Sequence, residues 1–188
     1  MSNYSLFIFM TEKKENILAI ALNLFAKQGY EATPTSQIAK VAGVSEGLIF
    51  RHFENKEGLL NAILEEGQAR LKPYIEEIVL KKSAKKRIAM TIDLAPNLIK
   101  NEREFWALQF ALKFKNTTIA KQKQQQTDFI QLFGAGVEAF TKLKYKNPLQ
   151  ETQILMLLLE GLTSQMLAMG DAADFSATVD FIKQKYKV

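Results

Sequence analysis

Few side chains in this sequence are equipped for chemistry, and their placement argues against most enzyme mechanisms. There is one histidine, His52, and no cysteine. His52 falls inside a helix-turn-helix pattern described below, which leaves no spare imidazole for a Ser-His-Asp or Cys-His arrangement. Without thiols, disulfides and thiolate metal sites are excluded, which fits a reducing cytoplasm. Any metal cluster would have to be all carboxylate. The adjacent pairs Glu65/Glu66 and Glu76/Glu77 lie in helical sequence and point apart, as solvated faces do. Gly134 and Gly136 also sit in a helical pattern, where they permit close helix packing instead of cradling a phosphate. The chain is therefore read as a non-enzyme with no catalytic residue, metal or cofactor.

Residues 33–60, TPTSQIAKVAGVSEGLIFRHFENKEGLL, carry a positional pattern: two short helices joined by a tight turn and running into a third. Thr33 is suited to cap the first through its side-chain oxygen, with Pro34 at the first helical position, where no N–H is needed. Ile38, Ala39 and Ala42 give that helix one apolar face. Gly43 ends it, because the left-handed turn out of a helix carries a Cβ penalty for other residues. Val44 plugs the corner. Ser45 caps the next helix, where Ile49 and Phe53 fall four apart on one face and Leu48, Arg51 and His52 lie elsewhere on the cylinder. A small residue at Ala39, a glycine four later and an aliphatic at Ile49 suit two helices crossing steeply at close range. An ordinary helical hairpin is the plainer reading, but the ordered series of cap, small residue, glycine, cap and aliphatic favours a helix-turn-helix.

The elements that must hold this unit are helical throughout. Leucine, alanine, lysine, glutamine and glutamate abound in the 188 residues and there are four prolines, so an all-α chain is expected. Residues 1–10 read as a loose extension. A helix over 11–29 carries Ile17, Ala21, Leu24 and Phe25 on one stripe, and completes a three-helix domain over 11–54. Asn55 caps a connecting helix over 55–72, with Pro73 at its end or as a kink. Residues 73–188 form a larger domain, with helices near 84–100, 102–115, 118–145, 148–170 and 173–187 and a kink or break near Ala95 ahead of Pro96. The cluster KKSAKKR at 81–87 reads as a solvated linker and helix start. Aromatics gather at Phe105, Trp106, Phe110, Phe114, Phe129, Phe133 and Phe140, a stripe that serves plain core packing as readily as a pocket.

The helix over 148–170 stands apart, because ILMLLLEGL leaves almost no polar face and such a helix must be covered on both sides. One cover is the domain's own core. A second copy of the chain supplies the other, through Leu155, Leu158, Leu159, Leu162 and Met166 together with Phe175, Val179 and Ile182 of the last helix. Two helices from each subunit make a four-helix interface about a twofold axis. The densest apolar run, Ile154 to Leu159, falls short of the roughly 20 residues a membrane span needs, and no membrane partner is expected. The net charge of +5 does not itself argue for nucleic acid, since the lysines and arginines up to residue 60 are matched by as many glutamates.

From Ala19 to Leu60 the sequence AIALNLFAKQGYEATPTSQIAKVAGVSEGLIFRHFENKEGLL resembles the DNA-binding domain of the tetracycline-repressor (TetR) family of bacterial transcription regulators. The resemblance implies a homodimer in the cytoplasm whose two recognition helices enter successive major grooves of a palindromic operator, and a small-molecule effector pocket in the C-terminal domain. It implies that Thr35, Ser36, Ser45, the backbone at Gly47 and Lys56 contact phosphates, with His52 in support. Leu48, Arg51 and Glu46 then face base edges, where Arg51 suits a guanine and Leu48 a thymine methyl. Two positions depart from the family pattern. Phe50 stands where a tyrosine is very frequent, so only a ring contact is left. Glu46 stands where a lysine is frequent, and a carboxylate near phosphates is repulsive unless it accepts a hydrogen bond from a cytosine amine. For the pocket, Asp93, Trp106, Gln109, Phe110, Phe129, Phe133, Met156 and Met166 are the candidates, with Gln131 a further polar contact, and they suit a lipophilic effector. The expected function is a ligand-responsive repressor. The alternative is a helical small-molecule-binding or interaction protein of the same fold with weak or lost DNA binding.

Overall fold

The computed structural model describes residues 3–115, 119–170 and 173–188, and the side chains of 12–111, 129–170 and 173–188. Among the described residues every regular element is a helix: α1 (Asn3–Gln28), α2 (Thr35–Ala42), α3 (Glu46–Phe53), α4 (Lys56–Leu80), α5 (Ala84–Lys115), α6 (Ile119–Lys142), α7 (Pro148–Met169) and α8 (Ser176–Tyr186). The chain is all-α. It divides into two compact units, residues 1–69 with 108–121, and residues 70–107 with 122–188.

In the first unit the apolar stripe of α1 supplies Ile17, Ala21 and Phe25, all fully buried, and Ile38 and Ile49 meet them from α2 and α3. The first helix does not begin at Thr11. Its backbone is helical from Asn3, because YSLFIFM contains no proline or glycine to stop it. The start of α2 also differs. Thr33 does not cap that helix; its hydroxyl donates to the Gly29 carbonyl at 2.8 Å, and Pro34 occupies the extended capping position ahead of Thr35. A buried hydroxyl two residues outside the helix finds a nearer acceptor in the turn closing α1. Asn55 does cap α4, accepting from the Gly58 N–H at 2.8 Å. That helix passes through Pro73 and continues to Leu80.

The second unit is built on Ile88, Ile92, Phe140, Leu155, Ile182 and Tyr186, with Leu159, Leu162, Ala139 and Val179 filling between them. Phe140 meets Tyr145 and Tyr186 at ring separations of 4.9 and 5.3 Å. Pro96 lies inside α5 with no break at Ala95, and the one non-helical residue there is Glu102 (φ −141°, ψ 50°), where the helices expected over 84–100 and 102–115 meet. Arg70 explains the position, since it bonds the Glu102 carboxylate at 2.7 Å and stacks 4.0 Å over the Phe105 ring, fixing the chain on both sides of the irregular residue. The cluster at 81–87 is only partly solvated. Arg87 is buried and donates to the carbonyls of Lys81 and Ala135 and, at 2.6 Å, to Glu138. Arg103 donates to the carbonyls of Met166 and Leu167 near the end of α7, at 3.1 and 3.0 Å, where a cation suits the negative end of the helix.

Candidate nucleic-acid interface

The turn between α2 and α3 follows from four residues. Gly43 adopts φ 65°, and the N–H groups of Gly43 and Val44 reach back to the carbonyls of Lys40 and Ala39 at 3.4 and 3.0 Å. The Ser45 hydroxyl oxygen accepts from the Leu48 N–H at 3.2 Å, satisfying one of the donors a helix start leaves open. Ile49 and Phe53 then pin α3 to the core. Asn16 of α1 ties in the end of α2, donating to the Ala42 carbonyl at 3.3 Å.

With that face buried, α3 turns Gly47, Phe50 and Arg51 to solvent, while Glu46, Leu48 and His52 are half-buried at its flanks. Phe50, 42 % exposed, is a large ring on an open surface. Ser36 and Ser45 are exposed, and Thr35 is half-buried. The Thr35 hydroxyl donates to the Glu46 carboxylate, joining the first residues of the two helices. Lys56, at the start of α4, donates to the Glu31 carbonyl at 3.3 Å and lies 4.5 Å over the Tyr30 ring. The candidates on α2, α3 and the start of α4 thus sit on one unit around one short helix. Burial first, then Lys14 and Arg51, push the His52 imidazole below the ordinary 6.5. One cation here escapes sequence reasoning. Lys14 of α1 lies 6.0 Å over the Phe53 ring, three residues before Ile17, on a helix whose pattern announces only its buried side.

The pocket candidates are not equivalent. Gln109 and Phe110 belong to the first unit and the others to the second. Asp93 does not offer a free carboxylate, since it pairs with Lys183 at 2.6 Å; Gln109 donates to the Ile63 carbonyl at 2.8 Å. Phe129 is 53 % exposed and stacks on half-buried Phe133 at 5.7 Å; Gln131 is exposed. Phe110 and Met156 are half-buried, and Met166 packs against the core of its unit. Trp106 keeps a buried indole N–H without a hydrogen-bond partner among the described residues. Phe114 lies outside the described side chains. Among the described residues no group of three His, Asp or Glu could hold a metal ion.

On α7 two apolar sides separate, and the expected interface residues divide between them, Leu158 being exposed and the others set in or against the core. Leu155, Leu159 and Leu162, with Val179 and Ile182 of α8, face the core of their own unit, and Met166 and Phe175 pack against it. The outward stripe is Ile154, Leu157, Leu158 and, on α8, Phe181, with Leu157 69 % and Phe181 67 % exposed. A helix apolar on all sides does not tell from residue type which leucines point in. Over 22 residues and a window of mean hydropathy 1.2, α7 also reaches the length and composition of a membrane span, which the count of consecutive apolar residues misses.

The fold and this site define a helix-turn-helix protein with a second helical unit. Residues 17–63 match the family profile of bacterial regulatory proteins, tetR family. The chain is 41 % identical over 68 residues to the helix-turn-helix transcriptional regulator YvkB of Bacillus subtilis, a stretch that is 36 % of either chain. It thus spans little more than a third of that relative's length. Over nearly its whole length it shares the fold of FadR from Bacillus subtilis, solved in complex with stearoyl-CoA (TM-score 0.70, 20 % identity, 90 % of this chain and 95 % of that one). The same holds for AibR, solved with isovaleryl coenzyme A and operator DNA (TM-score 0.71, 16 % identity, 91 % and 96 %). The match to the tetR family lies in the helix-turn-helix unit, residues 17–63.

Proposed function

We propose that this chain is a cytoplasmic, ligand-responsive transcriptional repressor that binds a palindromic operator as a homodimer and is released by a small lipophilic effector. The observation that carries the reading is α3 itself, a serine-capped helix pinned by Ile49 and Phe53 that presents Arg51 and Leu48 beside the hydroxyls of Ser36 and Ser45. Hydroxyls, helix starts and Lys56 grip phosphates and fix register; Arg51 and Leu48 read base edges. One such helix reads too few bases to specify a site, so two are required, and the outward stripe of Ile154, Leu157, Leu158 and Phe181 supports pairing with a second copy. The acyl-coenzyme A molecules bound to FadR and AibR support an acyl thioester as the effector class, with the unpartnered Trp106 N–H a donor suited to its carbonyl. Binding shifts the population toward a conformer whose recognition helices no longer match two half-sites.

The test is a titration of labelled duplex from the region upstream of the protein's own gene, with stearoyl-CoA and isovaleryl-CoA added to the complex. Salt-sensitive binding, release by one of the thioesters and a parallel change in the emission of Trp106, the one tryptophan, are expected. Binding that neither thioester reverses would remove the effector assignment, and no binding even at low salt would remove the repressor.

A further inference from the structure

Glu46 is the one acid in the first turn of the recognition helix, and it is not loose. Its carboxylate takes the hydrogen bond of the Thr35 hydroxyl, and Thr35 is the first residue of α2. The carboxylate therefore sits by the first turns of two helices at once, where open N–H groups and the helix dipole favour an anion. A hydroxyl has a single proton to donate, so Thr35 cannot donate to a DNA phosphate while it donates to Glu46. No surplus of cations offsets the charge nearby, because lysines and arginines up to residue 60 are matched by glutamates.

Resting on the DNA-binding reading above, we propose that Glu46 is an intramolecular stand-in for a backbone phosphate at the start of α2, and that the Thr35–Glu46 pair holds the affinity of this interface for any duplex low. Entering DNA must take the hydroxyl from Glu46 and tolerate the carboxylate beside its own phosphate. The pair sets grip and leaves base choice alone, in contrast to a Glu46 that reads a cytosine amine. The tether to α2 favours the first role, since it holds one carboxylate oxygen against the neighbouring helix.

The experiment compares wild type, Glu46→Gln, Glu46→Ala, Thr35→Val and the Glu46→Ala/Thr35→Val double variant on a random-sequence duplex and on the upstream-region duplex, over a range of salt. Glu46→Gln keeps an acceptor for Thr35 and removes only the charge. Both Glu46 variants are expected to bind both duplexes about tenfold more tightly at low salt, with a salt slope steeper by about 0.9 for each recognition helix engaged. Thr35→Val is expected to weaken Glu46→Ala several-fold and to weaken wild type by a smaller factor, because in wild type the hydroxyl gains its phosphate only by giving up its bond to Glu46. Unchanged or weaker binding by the Glu46 variants overturns the proposal while wild-type binding leaves the DNA reading standing. A loss confined to duplexes carrying one particular C·G pair overturns it in favour of base reading. If neither wild type nor any variant binds at low salt, the proposal and the DNA-binding reading fall together.

Discussion

At the scale of single residues, the proposed interface separates groups that position from groups that choose. Arg51 is exposed on α3, so Arg51→Ala is expected to relax preference at one base pair in each half-site by about 1–3 kcal/mol. Lys56, seated on Tyr30 and the Glu31 carbonyl, is the proposed phosphate contact; Lys56→Ala is expected to weaken all sequences alike and flatten the salt slope by about one. Binding titrations against a panel of single-base operator variants check both. Much of this surface is legible in the sequence because each signal is local: Ser45 caps three residues ahead, Gly43 turns where it stands, and Ile49 and Phe53 share a face by spacing alone. The Thr35–Glu46 bond spans eleven positions and two helices, so it depends on how α2 and α3 cross, and nothing in either residue's neighbourhood announces it. Thr33 misleads for the same reason: it has the chemistry of a cap, and the competing Gly29 carbonyl becomes visible only once the turn is folded.

At the scale of elements, the helices of the second unit are held by contacts that periodicity does not encode. Gly136 brings α6 against α7: a Cβ there would stand 2.8 Å from the Thr152 methyl, and Thr152 is fully buried. Gly136→Ala is expected to destabilise the chain by about 1–3 kcal/mol, read as a lowered midpoint in urea at unchanged slope. The Arg87–Glu138 pair joins α5 to α6 at 2.6 Å. Hydrogen bonds from Lys142 and Arg87 pull the Glu138 carboxyl from 4.5 down to about 2. A carboxyl with a depressed folded value contributes stability above its unfolded value and loses it as pH falls toward the folded one. Glu138→Gln is therefore expected to melt below wild type at pH 7, with the gap closing between pH 4.5 and about 2. Helix order and most approximate ends are readable from spacing and punctuation, while the nine expected helices become eight among the described residues because 84–100 and 102–115 run together as α5. The irregular residue in α5, Glu102, lies where the expected helices over 84–100 and 102–115 meet; its contact with Arg70, 32 residues away, is not legible locally.

At the scale of the molecule, two features must act together for this chain to regulate transcription: a recognition helix that reads a half-site and a surface that pairs two of them. The proposed pairing surface is the outer side of α7 and α8, so Leu157→Glu is expected to give a monomer in sedimentation while helix content stays intact, because Leu157 is exposed to solvent. That an apolar helix near residue 155 needs a second cover is legible from ILMLLLEGL; which of its leucines form the cover is not, since the two sides carry the same residue types and differ only in what the rest of the unit packs against. DNA recognition by a paired helix-turn-helix is the central claim, and footprinting over the region upstream of the protein's own gene tests it most directly. Two protected, inverted half-sites whose centres lie about 34 to 36 Å apart, one turn of the duplex, are expected, with protection lost in Leu157→Glu at the same concentration. Uniform or absent protection, or a footprint that the monomeric variant reproduces in full, would contradict it.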